Sequence, residues 1–326
     1  DNYFSNQHFR VMGCKIIETP FYPRSINPLK DIKLLISYIK IMREIDPDII
    51  FSYTIKPNIY GSIASKITGH KQICTITGTG TVFSDKNIIT LIVKFLYRFS
   101  IKKSHKIFIQ NYEDKVLLIK NKLINDNYAM VPGSGVNLEK FSYSNLPFND
   151  NINFIYIGRI MENKGIDQYL EMAKMIKLSF PNTNFFIAGF IFEERYQKII
   201  EYYHSKGIII YLGFQKDIKS WIEKCHCTIL PSYHEGLPNT LLESAAVGRA
   251  CIGSNIAGCR AVVEDGVTGF LFETGSTEDL IDKVGKYLAL SYDEKVQMGV
   301  AGRAKVEREF DRKIVVDAYM KEVEAV

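Results

Sequence analysis

The chain has 326 residues, 46% hydrophobic, 24% charged and 12% aromatic, a composition that excludes disorder, collagen-like repeats and coiled coil and a length that suits two α/β domains better than one core. Its formal charge of +5 conceals an asymmetry, with 20 Lys+Arg against 12 Asp+Glu in residues 1–150, net +8, and a net −3 in the remainder. No apolar run approaches the ~18–20 residues that span a bilayer, which excludes a transmembrane enzyme and leaves surface association open.

The chain opens at Asp1, without methionine and without a signal-peptide pattern, and is expected to be a fragment. Strand and helix patterns then alternate throughout, as in parallel sheets flanked by helices. In the first half, strands are expected at Lys15–Glu18, Asp48–Tyr53, Gln72–Ile76, Lys106–Gln110 and Asn127–Val131. Leu29–Glu44 carries apolar residues at 32, 35, 36 and 39, one face of a helix that Pro47 ends. From Lys86 to Lys106 basic residues run without an acid, interleaved with Ile88, Ile89, Leu91, Ile92, Phe95, Leu96 and Phe99. That segment reads either as an interfacial helix touching anionic lipid or as a core helix with a solvated basic edge. Pro132–Asp150 is rich in Pro, Gly, Asn and Ser and has no periodicity, so it is the expected linker between domains 1–145 and 146–326.

In the second lobe, strands are expected at Ile152–Ile157, Thr183–Ala188, Ile208–Leu212, Thr228–Leu230, Ala250–Gly253 and Gly269–Phe272. Each precedes a loop and a helix, which makes the fold class α/β, two facing doubly wound, Rossmann-like parallel-sheet lobes. Ligands of such sheets sit outside the carboxyl ends of the strands, which directs attention to the loops after Ile157, Leu230 and Gly253. Ser291–Val326 reads as helices, the last of them expected to cross back to the first lobe. The six cysteines lack C-x2-C pairing and lie mostly in apolar, strand-like segments, as reduced thiols of a cytoplasmic protein do. Cys225-His226-Cys227 has the wrong spacing for zinc, and Gly78-x-Gly80 lacks the third glycine and the acid of a dinucleotide fingerprint. His234 is the one histidine expected near the cleft, and nothing resembles a nucleic-acid-binding motif.

Two segments carry chemistry. Gly158-Arg159 and Lys164-Gly165 follow a strand and precede a helix. A guanidinium fork, an ammonium and helix N–H groups together outline a diphosphate site. The loop Pro231 to Pro238 then places Glu235 before a helix and Glu243 within it. Eight helical residues rise about 12 Å, far beyond the ~5–5.5 Å of a retaining glycosidase carboxylate pair. A loop carboxylate for sugar hydroxyls, a helix carboxylate for ribose and the N–H groups of Gly236 to Thr240 for phosphate suit a nucleotide sugar instead.

Taken jointly, Gly158-Arg159 with Lys164-Gly165 and Glu235-Gly236-Leu237-Pro238 with Glu243 resemble the retaining family 4 glycosyltransferases of GT-B architecture. The likeness extends through Ala250–Ser254, Val263–Leu271 and Thr277–Leu280. More loosely, Pro57–Gly61, Gly78-Thr79-Gly80 and Pro132–Asn137 with Phe141 are similar to bacterial capsule and O-antigen transferases that move N-acetylhexosamines. The resemblance implies that Arg159 and Lys164 clamp the donor diphosphate, with Glu235 at the sugar and Glu243 at the ribose. It further implies that Gly158, Gly236, Leu237, Pro238, Asn239 and Thr240 line the donor, with Gly78, Thr79 and Gly80 opposite. No metal or other cofactor is implied, a UDP-sugar is the donor, a lipid-linked saccharide the acceptor, and the inner face of the membrane the place. An epimerase of the UDP-N-acetylglucosamine 2-epimerase type and a non-catalytic binding module are the alternatives. Relatives open with a strand and a Gly-rich loop, so about 40 to 50 residues are expected to be missing before Asp1.

Overall fold

The computed structural model of the chain describes residues 2–22, 25, 27–78 and 88–326. Two compact units divide it, one comprising Asp1–Ile109, Asp114–Ala129 and Glu322–Val326, the other Gln110–Glu113 and Met130–Lys321. The early elements are α1 (Asn2–Val11), α2 (Pro28–Ile45), β1 (Ile49–Tyr53), α3 (Ile55–Thr68), β2 (Lys71–Ile76), α4 (Ile88–Ser100), β3 (Lys106–Ile109), α5 (Tyr112–Lys120) and β4 (Tyr128–Met130). Asn27 starts α2, its Oδ1 accepting from Leu29 N–H at 2.9 Å, with Pro28 in the first turn, where its missing N–H leaves no bond unmade. Asp46 ends the helix at φ 50. β1, β2 and β3 pair in parallel, and the sheet runs β1-β2-β3-β4.

The strand expected at Lys15–Glu18 does not form; residues 14–22 carry neither helix nor strand. A strand persists only where a neighbour takes its N–H and C=O groups, and among the described residues β1 stands at the sheet edge without a partner on that side.

The second unit contains β5 (Ile152–Ile157), α6 (Ile166–Ser179), β6 (Thr183–Ala188), α7 (Tyr196–Ser205), β7 (Ile210–Gly213), α8 (Lys219–Glu223), β8 (Cys227–Leu230), α9 (Asn239–Ala246), β9 (Ala250–Ser254), α10 (Ala257–Val262), β10 (Gly269–Phe272), α11 (Thr277–Ala289), α12 (Tyr292–Glu309) and α13 (Arg312–Glu324). Its six parallel strands lie in the order β10-β9-β8-β5-β6-β7. From β5 the chain winds outward through β6 and β7, then returns to build β8, β9 and β10 on the other side. The reversal leaves a crevice at the carboxyl ends of β5 and β8, where open α/β sheets bind ligands.

The strands are nearly continuous apolar runs because helices cover both faces. Phe154 and Phe185 stack at 5.3 Å in a core with Ile187, Tyr169 and Tyr287, all fully buried, each such side chain contributing about 1.5–3 kcal/mol. Ser276 caps α11, and Ser291 with Glu294 forms a capping box on α12.

Residues 132–150 are irregular, as expected of a linker, yet they are pinned into the second unit. Arg249 is completely buried and donates to the carbonyls of Ser144 (2.7 Å), Asn145 (3.0 Å), Glu223 (3.0 Å), Val247 (3.1 Å) and Ile222 (3.2 Å). Arg303 reaches Phe141 O at 2.9 Å and Ala246 O at 2.6 Å, and Tyr292 donates to Leu146 O at 2.8 Å. The division between the units therefore falls at Ala129/Met130 rather than at 145/146. The last residues count with the first unit, where Glu322 pairs with Lys106 at 2.9 Å.

Cys74, Cys225, Cys227, Cys251 and Cys259 are buried and Cys14 is exposed. Burial pushes the thiols of Cys225 and Cys259 up to about 12. His226, between two of them, accepts from Asn153 N–H through Nδ1 at 3.0 Å. No helix among the described residues is long and apolar enough to cross a membrane.

Candidate active site

Two loops of the second unit meet at the crevice. Gly158 and Arg159 leave the carboxyl end of β5, where the buried Tyr156 hydroxyl donates to Arg159 O at 2.8 Å and fixes the backbone. The Arg159 side chain is exposed, its guanidinium carbon 5.1 Å from the centre of the Phe192 ring, a cation–π seat that orients it without neutralising it. A 3-10 turn, Glu162–Lys164, carries the chain into α6. Gly165 sits there at φ +68, and a Cβ on it would lie 2.0 Å from Pro231 O, so only glycine lets this turn lie against the loop after β8. Tyr233 N–H donates to Asn163 O at 3.1 Å and joins the two loops.

The second loop holds Glu235, whose Oε1 accepts from Lys164 Nζ at 2.5 Å, with both side chains largely buried. Its backbone has no slack, because α10 packs against it so closely that a Cβ on Gly258 would come within 2.6 Å of the carbonyl oxygens of both Glu235 and Gly236. Pro238, extended at φ −78 and ψ 104, precedes α9. Asn239 and Thr240 thus contribute first-turn N–H groups, which a helix cannot satisfy internally. Thr240 Oγ1 also donates to Ile157 O at 3.3 Å, anchoring α9 to the end of β5. Farther along α9, Glu243 is partly buried; burial raises its pKa, while Lys140 and Arg312 pull the other way.

The structure thus gathers Gly158, Arg159, Lys164, Glu235, Gly236, Leu237, Pro238, Asn239, Thr240 and Glu243 around one crevice of the second unit. Gly78 follows β2 at φ +149, with nothing within 4 Å of a Cβ on it among the described residues; Thr79 and Gly80 lie outside the described residues. His234 is exposed beside Glu235. Three contributors escaped the sequence reading. Lys140 and Arg312 face Glu243, and Ser134 donates to Asn239 Oδ1 at 3.3 Å. Ser134 and Lys140 lie in the segment expected to be a linker, and the signal there is the likeness of Pro132–Asn137 to the transferases, which includes Ser134 but not Lys140. At the ends of β8 and β9, the buried hydroxyls of Ser232 and Ser254 have no partner among the described residues, a state that a buried polar group sustains only with water or ligand beside it.

Chemically, two cations and a helix start can hold a diphosphate, and two carboxylates set apart can accept from hydroxyls at either end of it.

Known proteins resemble the chain in sequence and in fold. The model of the family described as glycosyl transferases group 1 matches residues 138–305, more than half of the chain, and that of glycosyl transferase 4-like proteins matches residues 7–111. The chain is 26% identical to the N,N'-diacetylbacillosaminyl-diphospho-undecaprenol alpha-1,3-N-acetylgalactosaminyltransferase of Campylobacter jejuni, over 97% of this chain and 87% of that one. It is 28% identical to the UDP-Gal:alpha-D-GlcNAc-diphosphoundecaprenol alpha-1,3-galactosyltransferase of Escherichia coli, over 81% and 72%. In fold, a glycosyltransferase of Rickettsia africae superposes with a TM-score of 0.79 at 20% identity, over 97% of this chain and 86% of that one. HepE of Anabaena, solved with UDP and glucose, gives 0.77 at 15%, over 94% and 85%.

Proposed function

We infer the reaction from one premise: the chain belongs to the group 1 glycosyltransferases, with the two parallel-sheet units of the GT-B architecture. It is a glycosyltransferase, and the finer reading is ours. In that reading the donor is a UDP-sugar, the sugar an N-acetylhexosamine, and the acceptor a lipid-linked saccharide of bacterial surface polysaccharide. The observation that supports it is the Lys164–Glu235 pair at 2.5 Å, which joins the loop after β5, where Arg159 stands, to the loop that leads into α9 with Asn239, Thr240 and Glu243. The relatives' names, both transferases acting on sugar-diphospho-undecaprenol compounds, support the acceptor class.

On this reading the bond between the donor's anomeric carbon and the β-phosphate oxygen breaks, and its electron pair leaves on UDP. Arg159 and Lys164 neutralise the charge that develops there, which is the electrostatic share of catalysis. Taking the diphosphate releases Lys164 from Glu235, whose carboxylate then accepts from sugar hydroxyls. The acceptor hydroxyl attacks from the face that the diphosphate leaves, and its proton passes to the departing phosphate oxygen, so configuration is retained without a protein nucleophile. Ribose hydroxyls donating to Glu243 favour its ionised form. The two cations carry the role that a divalent metal plays elsewhere, and the enzyme works without one. We place it at the cytoplasmic face of the membrane, with the exposed stripe Leu91, Ile92, Phe95 and Phe99 of α4 against the bilayer among Lys94, Arg98 and Lys102.

Calorimetric titration of UDP, GDP and ADP against the chain in EDTA tests this, with Arg159→Ala beside it. UDP is expected to bind in chelator, in preference to the other two, and about tenfold or more weakly in the variant. Binding that appears only with added magnesium would sink the metal-free reading; preference for GDP or ADP would sink the uridine donor.

A further inference from the structure

At the amino ends of β2 and β3, the end of the sheet opposite its strand carboxyl ends, the first unit carries a cavity of about 210 Å³. Its floor is polar, with the hydroxyls of Ser62 and Ser104 3.2 Å apart and Gln72 beside them. Its rim is basic, formed by Lys66, Lys71 and Lys103. No Asp or Glu lines it among the described residues; the nearby acids are taken, Asp46 by His70 at 3.1 Å and Glu322 by Lys106 at 2.9 Å, and Lys71 Nζ donates to an oxygen of the terminal residue, Val326 O, at 3.3 Å. Lys66 Nζ donates to Phe99 O at 2.8 Å and Ser100 O at 2.6 Å and keeps a third hydrogen. Its pKa is lowered by burial first and then by the nearby Lys103.

Gln72 says what else must enter. It is 1% exposed, and its Nε2 donates to Ser52 Oγ at 2.6 Å, which donates to Asn58 Oδ1 at 2.7 Å, while Asn58 Nδ2 donates to Thr75 O at 2.9 Å. That relay fixes the amide, because turning it over would set Oε1 against a hydroxyl whose hydrogen is already given. Oε1 is therefore a buried acceptor with no partner among the described residues, a costly state until something donates to it. Lys66 and Lys103 stand at the cavity with no acid among its described lining residues, which suits an anion, and Gln72 Oε1 suits a hydroxyl. A phosphate ester with a hydroxyl beside it, or phosphate carrying one proton, supplies both.

We propose that this cavity is a phosphate-binding site, separate from the donor crevice. Its ligand is either free phosphate or the headgroup of an anionic phospholipid. The lipid source has a structural reason, since Lys66 Nζ lies 5.6 Å from the centre of the Phe99 ring, and Phe99 and Phe95 are each 68% exposed. A headgroup in the cavity would leave its acyl chains along that stripe. The site stands on the first unit alone; only its lipid arm rests on α4 lying against a bilayer.

Inorganic phosphate titrated against the full chain is expected to bind, and to bind about tenfold or more weakly to Lys71→Gln/Lys103→Gln. It should bind unchanged to Lys33→Gln/Lys40→Gln, which loses the same charge from α2. All four substituted lysines are exposed, so folding is preserved and is checked by melting temperature. Retention on phosphatidylcholine vesicles containing phosphatidylglycerol, displaced by inorganic phosphate and weakened by Lys71→Gln/Lys103→Gln, assigns the headgroup. Phosphate binding without such displaceable retention assigns free phosphate. No phosphate binding, or equal affinity in the two double variants, overturns the site, while UDP binding in the second unit would be untouched by that failure.

Discussion

Glu243 answers to two opposed demands. Burial holds its pKa above the usual carboxylate value, so its contribution to stability is present below the ordinary carboxylate range and lost as pH rises through the raised pKa. Glu243→Gln is therefore expected to raise the melting temperature at neutral pH, to leave it unchanged near pH 4, and to weaken UDP binding about tenfold. A melting temperature that falls at neutral pH would mean that the carboxylate is satisfied within the protein and does not await ribose. His226 has the opposite sense. Burial first, then Arg249, depresses its pKa from 6.5 to about 4, so the stability it contributes is complete above about 6.5 and declines as pH falls toward about 4. The decline amounts to at most about 3 kcal/mol. His226→Gln should flatten the melting curve's pH dependence across that window, and an unchanged slope would place the titrating group elsewhere.

At the scale of elements, α4 sets its apolar stripe outward, with Leu91, Ile92, Phe95 and Phe99 more than half exposed. Phe95→Ser/Phe99→Ser should leave the melting temperature nearly unchanged and reduce co-sedimentation with phosphatidylglycerol vesicles several-fold; undiminished sedimentation would remove α4 from the bilayer. How far the sequence spoke for each element depended on where its bonds go. β6 and β10 end where their apolar runs end, at Thr183–Ala188 and Gly269–Phe272, since a strand covered on both faces writes its own boundary. The loop that ends at Pro238 sets Glu243 within a helix, and α9 is there. Lys15–Glu18 has the composition of a strand but no neighbour, which composition does not record. Residues 132–150 look like a linker because the groups that hold them, Arg249, Tyr292 and Arg303, lie more than a hundred residues away and bond to carbonyls, which every sequence has. Lys140 and Ser134 face side chains, Glu243 and Asn239, that lie more than a hundred residues on, a separation that no local pattern records.

For the molecule as a whole, Arg249 is the side chain that ties Ser144 and Asn145 to Ile222, Glu223 and Val247 through their carbonyls. Arg249→Met would leave several buried carbonyls without a donor, with an expected loss on the order of 3–5 kcal/mol. Calorimetry would see it in one transition, the same one that UDP raises by binding only the native second unit. A shift of both transitions by UDP would show that the first unit takes part in holding the nucleotide. The net charges differ in sign between the two halves of the sequence, so adding salt should weaken vesicle retention, which uses the basic half, far more than it weakens nucleotide binding in a partly buried crevice.

Five of the six thiols are buried, and those of Cys225 and Cys259 would need a pH near 12 to ionise. Alkylation proceeds through the thiolate and requires access. A maleimide dye added to the folded, unaltered chain is therefore directed to Cys14, giving a site-specific fluorescent label on the first unit without removing a single native cysteine.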